Sequence, residues 1–387
     1  MIPVAVDRID HQTLLDLVGT PESKTLEFKG ELPPKNDGAR VLARGVSALA
    51  NTLGGDFVIG VTEKDGLVHE APGVAEDVDK YRGQIVQVIR SQIDPPPPRF
   101  DVRPVACPDG RWAFVVRVGR SWTGPHRTVF DREFNLRTAH GVEQMTVPEL
   151  RAAFGEREGV VDRIERFRTD RLTRVMAGAT PMRLASPTCI VLHLVSMPAI
   201  AERRQIDVWA ETRDNSHMVL PLRGPHTSAG LQFNMHGLMN FAGDTLGQGA
   251  DSYGLLFRSG AVEGVDCTSQ DKNGPFVESL ALANRIVAAT RNYLGLQASL
   301  GVETPTAAML SFCNARGLRM VVQRPSMPVF MSLPLTEDLV ALPEVVFETA
   351  DADAPTTLRP LLNVVWQAFG LQECDLFDRD GAWLGRG

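Results

Sequence analysis

The chain has 387 residues, 43% of them apolar and 22% charged, with a net charge of −7. That length accommodates two or three domains, each able to bury its own core, and the composition excludes wholesale disorder. The acidic balance argues against a general nucleic-acid coat, and no apolar run reaches the roughly 20 residues of a membrane-spanning helix.

The first residues, MIPVAVDRIDHQ, lack the basic and apolar regions of a signal peptide, so a cytoplasmic location is expected. His11–Val18 reads as a short helix closed by Gly19-Thr20-Pro21. PESKTLEFKG follows at 21–30, and alternation makes Thr25–Lys29 a strand with Glu27 and Lys29 on one face and Leu26 and Phe28 on the other. In ARVLARGVSALANTLGG, Leu42, Val46, Leu49 and Leu53 fall at helical spacing, and Gly54-Gly55 is expected to cap that helix. DFVIGV is a short apolar strand turned by TEKDG. Glu76–Ile93 reads as a second amphipathic helix, stopped by Asp94 and four prolines that form a stiff connector. Phe100–Val105 and Trp112–Val118 pair around CPDG, Glu133–Arg137 is a further strand, and Thr146 caps a helix reaching Phe154.

A domain boundary is expected near Gly155, dividing the chain into 1–155 and 156–387. The charged segment EREGVVDRIERFRTDRLTRVMAG is helical in period. CIVLHLV, QIDVWA and LQFNMHG read as strands, and YGLLFRSGAVEGVDC as a hairpin around Ser259-Gly260. Phe276–Leu294 is a long helix, Ala308–Val322 a strand pair with a turn at Asn314–Gly317, and Leu358–Phe369 a closing helix. No period of 20–50 residues repeats. Five scattered cysteines, without a CxxC pair, fit reduced buried thiols rather than structural zinc.

The chemistry is narrowed by absences. There is no Gly-Lys dipeptide and so no P-loop, no HExxH, no EF-hand loop and no Gly-x-Ser-x-Gly elbow. Carboxylates remain: Glu22 before the first strand, Glu27 within it, and Glu63 after DFVIGV. If the strands pair, the three converge, and their mutual repulsion would be relieved by Mg²⁺ or Mn²⁺, which takes carboxylate oxygens and can polarise a phosphoryl group. Lys29, on the face of Glu27, would offset charge in the transition state. A solvated sheet face produces the same pattern, so the spacing alone leaves both readings open. Eight arginines lie between Arg99 and Arg137 against four acids, a local excess of 8 − 4 = 4 positive charges. This is compatible with phosphate contacts, and equally with a chain that uses arginine in place of its six lysines.

PESKTLEFKG, ALANTLGG and DFVIGVTEKDG in this order resemble the AlbA-type domain of the Schlafen family, through Glu22-Ser23, Glu27-Phe28-Lys29, Ala48, Asn51-Thr52, Gly54-Gly55 and Ile59-Gly60-Val61. GPH, FNLRT and VPELRAAF resemble that domain's closing strand and helix, so the likeness covers about residues 9–155. It implies an α+β chain: a mixed sheet with flanking helices, then a second α/β domain with a role the resemblance does not reach. Nuclease members of the family hold a metal on two glutamates and an aspartate. These fall on Glu22, Glu27 and Glu63, the last a departure, with Asp65 nearby. The resemblance therefore implies a metal-dependent endoribonuclease on structured RNA such as tRNA, or on DNA, in stress or phage defence. The alternatives are a non-catalytic nucleic-acid-binding regulator and a nucleotide-binding module. Vertebrate relatives join two lobes around a groove for RNA; this chain has one, so a homodimer is expected.

Overall fold

The computed structural model describes residues 1–33, 36–209, 219–224, 228–243, 249–322 and 329–385. The chain divides into two units, Met1–Gly159 and Val160–Gly387.

In the first unit, α1 (His11–Leu15) precedes β1 (Leu26–Lys29), α2 (Asn36–Ala50) and β2 (Gly54–Ile59). The hairpin β3 (Thr62–Lys64) and β4 (Leu67–Glu70) leads to α3 (Val78–Gln92), β5 (Ile93–Asp94), β6 (Phe100–Ala106) and β7 (Trp112–Gly119). Short strands β8 (Arg127–Thr128), β9 (Asn135–Thr138) and β10 (Gly141–Gln144) follow, and α4 spans Val147–Met176. The central sheet is mixed, in order β1-β2-β7-β6: β1 is parallel to β2 and the other pairs are antiparallel.

Alternation along these strands builds two cores. Phe57, Ile59, Phe114 and Val116 face α2 and α3, meeting Leu42, Val46, Ile85 and Ile89. Phe28, Val58 and Val115 face the other way, onto Ile2, Ile9 and Leu14. The expected strand face is therefore real, with Leu26 and Phe28 on the second core and Glu27 turned toward α2. Gly54-Gly55 do not cap α2. They open β2, because the helix has already ended at Ala50 and the pair must run against neighbouring backbone: a Cβ on Gly55 would lie 2.4 Å from the Thr25 carbonyl oxygen. Likewise α4 does not stop near Phe154. Gly155 sits within one 30-residue helix, a cost of about 1 kcal/mol that a long helix absorbs.

The second unit contains β11 (Cys189–Ser196), α5 (Met197–Ala201), β12 (Ser228–Phe233), β13 (Gly237–Gly243), β14 (Ala250–Phe257) and β15 (Val262–Cys267). Next come β16 (Ser269–Asp271), β17 (Gly274–Glu278), α6 (Ser279–Ser299), β18 (Thr306–Cys313) and β19 (Arg319–Val322). Last are β20 (Phe330–Met331), β21 (Leu339–Ala341), β22 (Val345–Phe347) and α7 (Ala354–Ala368). The large sheet runs β12-β13-β14-β15-β11-β18-β21, with β22 also on β18, and its pairs are antiparallel. The expected strand at LQFNMHG is instead the turn of the β12–β13 hairpin with its flanks, held by Asn234 accepting from the Gly237 amide. QIDVWA forms no strand over 205–209, and Ala210 lies outside the described residues. The sheet's two faces bury opposite partners of β15. Glu263 takes Arg171 of α4, His193 and Tyr253, while Asp266 takes Arg223 and Arg285 of α6. All five cysteines are free thiols.

Candidate functional site

The carboxylates of PESKTLEFKG converge, but on an arginine. Glu27 is 4% exposed, and its Oε2 accepts from Nη1 of Arg137 at 2.8 Å. The Lys29 ammonium lies 3.6 Å from its Oε1. Glu22 accepts from Nη2 of Arg137 at 2.8 Å through Oε2. Through Oε1 it accepts from Lys29 at 3.3 Å and from the Phe28 amide at 3.1 Å. Arg137 itself is 2% exposed. Its Nε donates to the Ser23 carbonyl at 3.1 Å, and its Nη2 also reaches the Leu26 carbonyl at 3.3 Å.

The signature residues Asn51 and Thr52 hold this arrangement. Asn51, just past α2, donates to the carbonyls of His126 and Asn135 at 2.8 and 2.9 Å and accepts from the His126 amide at 2.7 Å. Thr52 accepts from the Arg137 amide at 2.9 Å and donates to Ala48 at 2.8 Å. The end of α2 thus places β9, and β9 places Arg137 over β1. Gly45 leaves the space: a Cβ there would fall 2.9 Å from the Glu27 carboxylate and 2.4 Å from the Phe57 ring.

The two acids are pushed in opposite directions. Burial raises the Glu27 carboxyl above its ordinary range, outweighing the pull of Arg137 and Lys29. Burial also acts on Glu22, but the Phe28 amide, Lys29 and Arg137 together hold it below the ordinary range.

Glu63 lies on β3, exposed, in a hairpin that turns the chain back at Asp65-Gly66. Among the described residues no three His, Cys, Asp or Glu side chains form a metal-ligating group. Mg²⁺ and Mn²⁺ call for negative oxygens free to coordinate. Here two carboxylates face the buried Arg137 and the partly exposed Lys29, and the guanidinium binds one oxygen of each. The donor set in this arrangement does not fit a divalent cation. Lys29 acts within it as a counter-ion.

The arginine-rich segment is also largely committed. Arg117 bonds Asp56 at 2.7 Å and donates to the Ile2 and Val4 carbonyls, Arg120 pairs with Glu156 and stacks on Trp122, and Arg127 pairs with Asp94. Arg111 approaches Glu31 at 3.8 Å. Arg99, Arg103 and Arg132 are exposed and have no ion pair among the described residues.

Reading the sequence alone missed Arg137 as the partner of both glutamates. The signal was present in FNLRT: Asn135 and Arg137 share one strand face, and a polar pair at period two on a buried face demands partners.

An α+β unit with a mixed four-stranded sheet, carrying this clasp between the end of its long helix and a late strand, defines the class of domain. Residues 22–146 match the family model described as "Schlafen, AlbA_2", and this stretch is a Schlafen AlbA_2 domain. No curated protein matches the chain. Among solved structures it is similar to the DIP2311 protein from Corynebacterium diphtheriae, at 21% identity over 32% of this chain and 25% of that one, with a TM-score of 0.24. It is also similar to the N-terminal domain of an "ATP-dependent DNA Helicase RecG-related Protein" from Nitrosomonas europaea, at 17% identity over 36% of this chain and 94% of that one, with a TM-score of 0.26. The chain thus spans about a quarter of the length of the Corynebacterium protein. Among the described residues no helix is long and apolar enough to cross a membrane.

Proposed function

We propose that the Schlafen AlbA_2 domain binds nucleic acid without metal-dependent cleavage at Glu22 and Glu27. The observation that carries this reading is the neutralisation of both carboxylates by Arg137 and Lys29. An acid already bonded to a buried guanidinium is a poor metal ligand and a poor general base, because each role requires displacing that cation. The family of the domain supplies the ligand class, and Arg99, Arg103 and Arg132 are cations free to meet phosphates. Two copies of the chain would present two such surfaces to one strand or hairpin.

The test is a cleavage and binding panel on tRNA, single-stranded RNA and DNA, with Mg²⁺, Mn²⁺ or chelator, for the wild type and Glu27→Gln. Both proteins are expected to bind, with affinity falling as salt rises through loss of phosphate contacts. Neither is expected to show metal-dependent cleavage. Cleavage by the wild type that needs the metal and drops a hundredfold in Glu27→Gln would overturn the reading and restore the metal-dependent nuclease.

A further inference from the structure

A groove of about 810 Å³ runs between α2 and α3, away from the Glu22–Glu27–Arg137 cluster and used by nothing described so far. Its volume lies in the range of small-ligand sites. The floor is apolar, with Leu42, Ile85 and Val88. The walls are not: α3 turns Gln84, Gln87 and Ser91 into the groove. Gln84 and Gln87 are exposed, and their amides make no hydrogen bond to protein among the described residues. At the mouth stands the half-buried ring of Phe130, with the Arg40 and Arg44 guanidiniums 5.4 and 5.9 Å from its centroid.

Each of these features selects a ligand property. Free amides present both a donor and an acceptor, which suits the edge of a neutral heterocycle rather than a fully charged group. The ring at the mouth offers a stacking face. Arg44 is held by Asp131 and Glu133 at 2.8 and 3.0 Å, whereas among the described residues Arg40 has only the loose exposed contact with Asp37 at 3.8 Å, so Arg40 is the cation of the described lining available to a phosphate. A flat polar heterocycle with a phosphate on one side is a nucleotide unit. We propose that the groove between α2 and α3 receives one unpaired base of the bound strand, with its phosphate on Arg40. This rests on the nucleic-acid-binding reading above and adds to it a preference for looped or single-stranded over fully paired nucleic acid.

The test uses the full chain, a fluorescein-labelled RNA hairpin with an unpaired loop, and the same stem as a blunt duplex. Binding is followed by anisotropy at several salt concentrations for the wild type, Phe130→Ala and the double variant Gln84→Ala/Gln87→Ala. The wild type is expected to prefer the hairpin by roughly tenfold, on the scale of one base–aromatic stack. Both variants should lose that preference while keeping duplex affinity. Their salt slope should stay unchanged, because stacking and amide contacts release no counterions. The glutamine variant alters only exposed helix positions, so it preserves the test if Phe130→Ala folds poorly. Equal hairpin and duplex binding by the wild type, or an undiminished preference in the glutamine variant, overturns the proposal while leaving the nucleic-acid reading intact. A groove that takes a peptide would produce that second result. Binding of neither RNA by the wild type would overturn both.

Discussion

Arg137 carries more of the first unit than either acid it holds. It is buried with four acceptors around it, and removing it would leave the Glu27 charge in the interior with only the half-exposed Lys29 to answer it. Arg137→Met is therefore expected to destabilise the unit by about 3–5 kcal/mol, the usual cost of breaking a buried pair from one side. Glu27→Gln should cost less than about 1 kcal/mol. Burial already disfavours the charged form of Glu27, and an amide oxygen still accepts from the guanidinium. Lysine is a poor substitute for Arg137, since it cannot donate to both carboxylates through a planar fork. Urea denaturation of the two variants beside the wild type reads the difference, and a larger loss for Glu27→Gln than for Arg137→Met would contradict this account.

At the scale of elements, the link that matters joins α2 to β9 through Asn51. Its side chain serves two backbone carbonyls and one amide from segments 75 and 84 residues away. Asn51→Ala leaves those groups without partners, a loss on the order of 2–3 kcal/mol. Hydrogen exchange should show β8 and β9 amides losing protection while the interior of α2 keeps its own. Uniform loss over the whole unit would instead make Asn51 part of the global core. The same element shows where sequence legibility ends. β1, α2 and β2 could be read because their periods are local: Leu42, Val46 and Leu49 form one stripe and DFVIGV is apolar throughout. The roles of Asn51 and Arg137 are long-range, set by which late strand the helix end grips, and no local period encodes that. Glu63 follows β2 directly in sequence and lies exposed on β3, in the hairpin that β3 makes with β4. The Gly54-Gly55 pair misled. A pair of glycines after a helix suits a cap, but here it serves a close crossing of backbones that only the tertiary fold reveals.

At the scale of the whole molecule, the sheet edge of the second unit sets the assembly. Among the described residues β12 ends the large sheet and pairs on one side only, with β13. Along it Leu231 and Phe233 share a face and are 50% and 45% exposed, and Trp209, 61% exposed, packs on Phe233 with ring centroids 5.5 Å apart. Such an edge with apolar side chains is a template for association unless something covers it, and a second copy of the same edge would cover it with closed two-fold symmetry. Such a dimer would also bring two AlbA_2 domains into one particle, as the proposed binding to a strand or hairpin would use. Light scattering at micromolar concentration is expected to yield twice the 42.3 kDa chain mass. Leu231→Lys/Phe233→Lys should shift the protein to the monomer with little change in melting temperature, because both positions are exposed in the single chain. The monomer should also bind hairpin RNA more weakly, since the second domain no longer engages at high effective concentration. A monomeric mass for the wild type, with and without RNA, would exclude the paired arrangement and leave each AlbA_2 domain to bind alone.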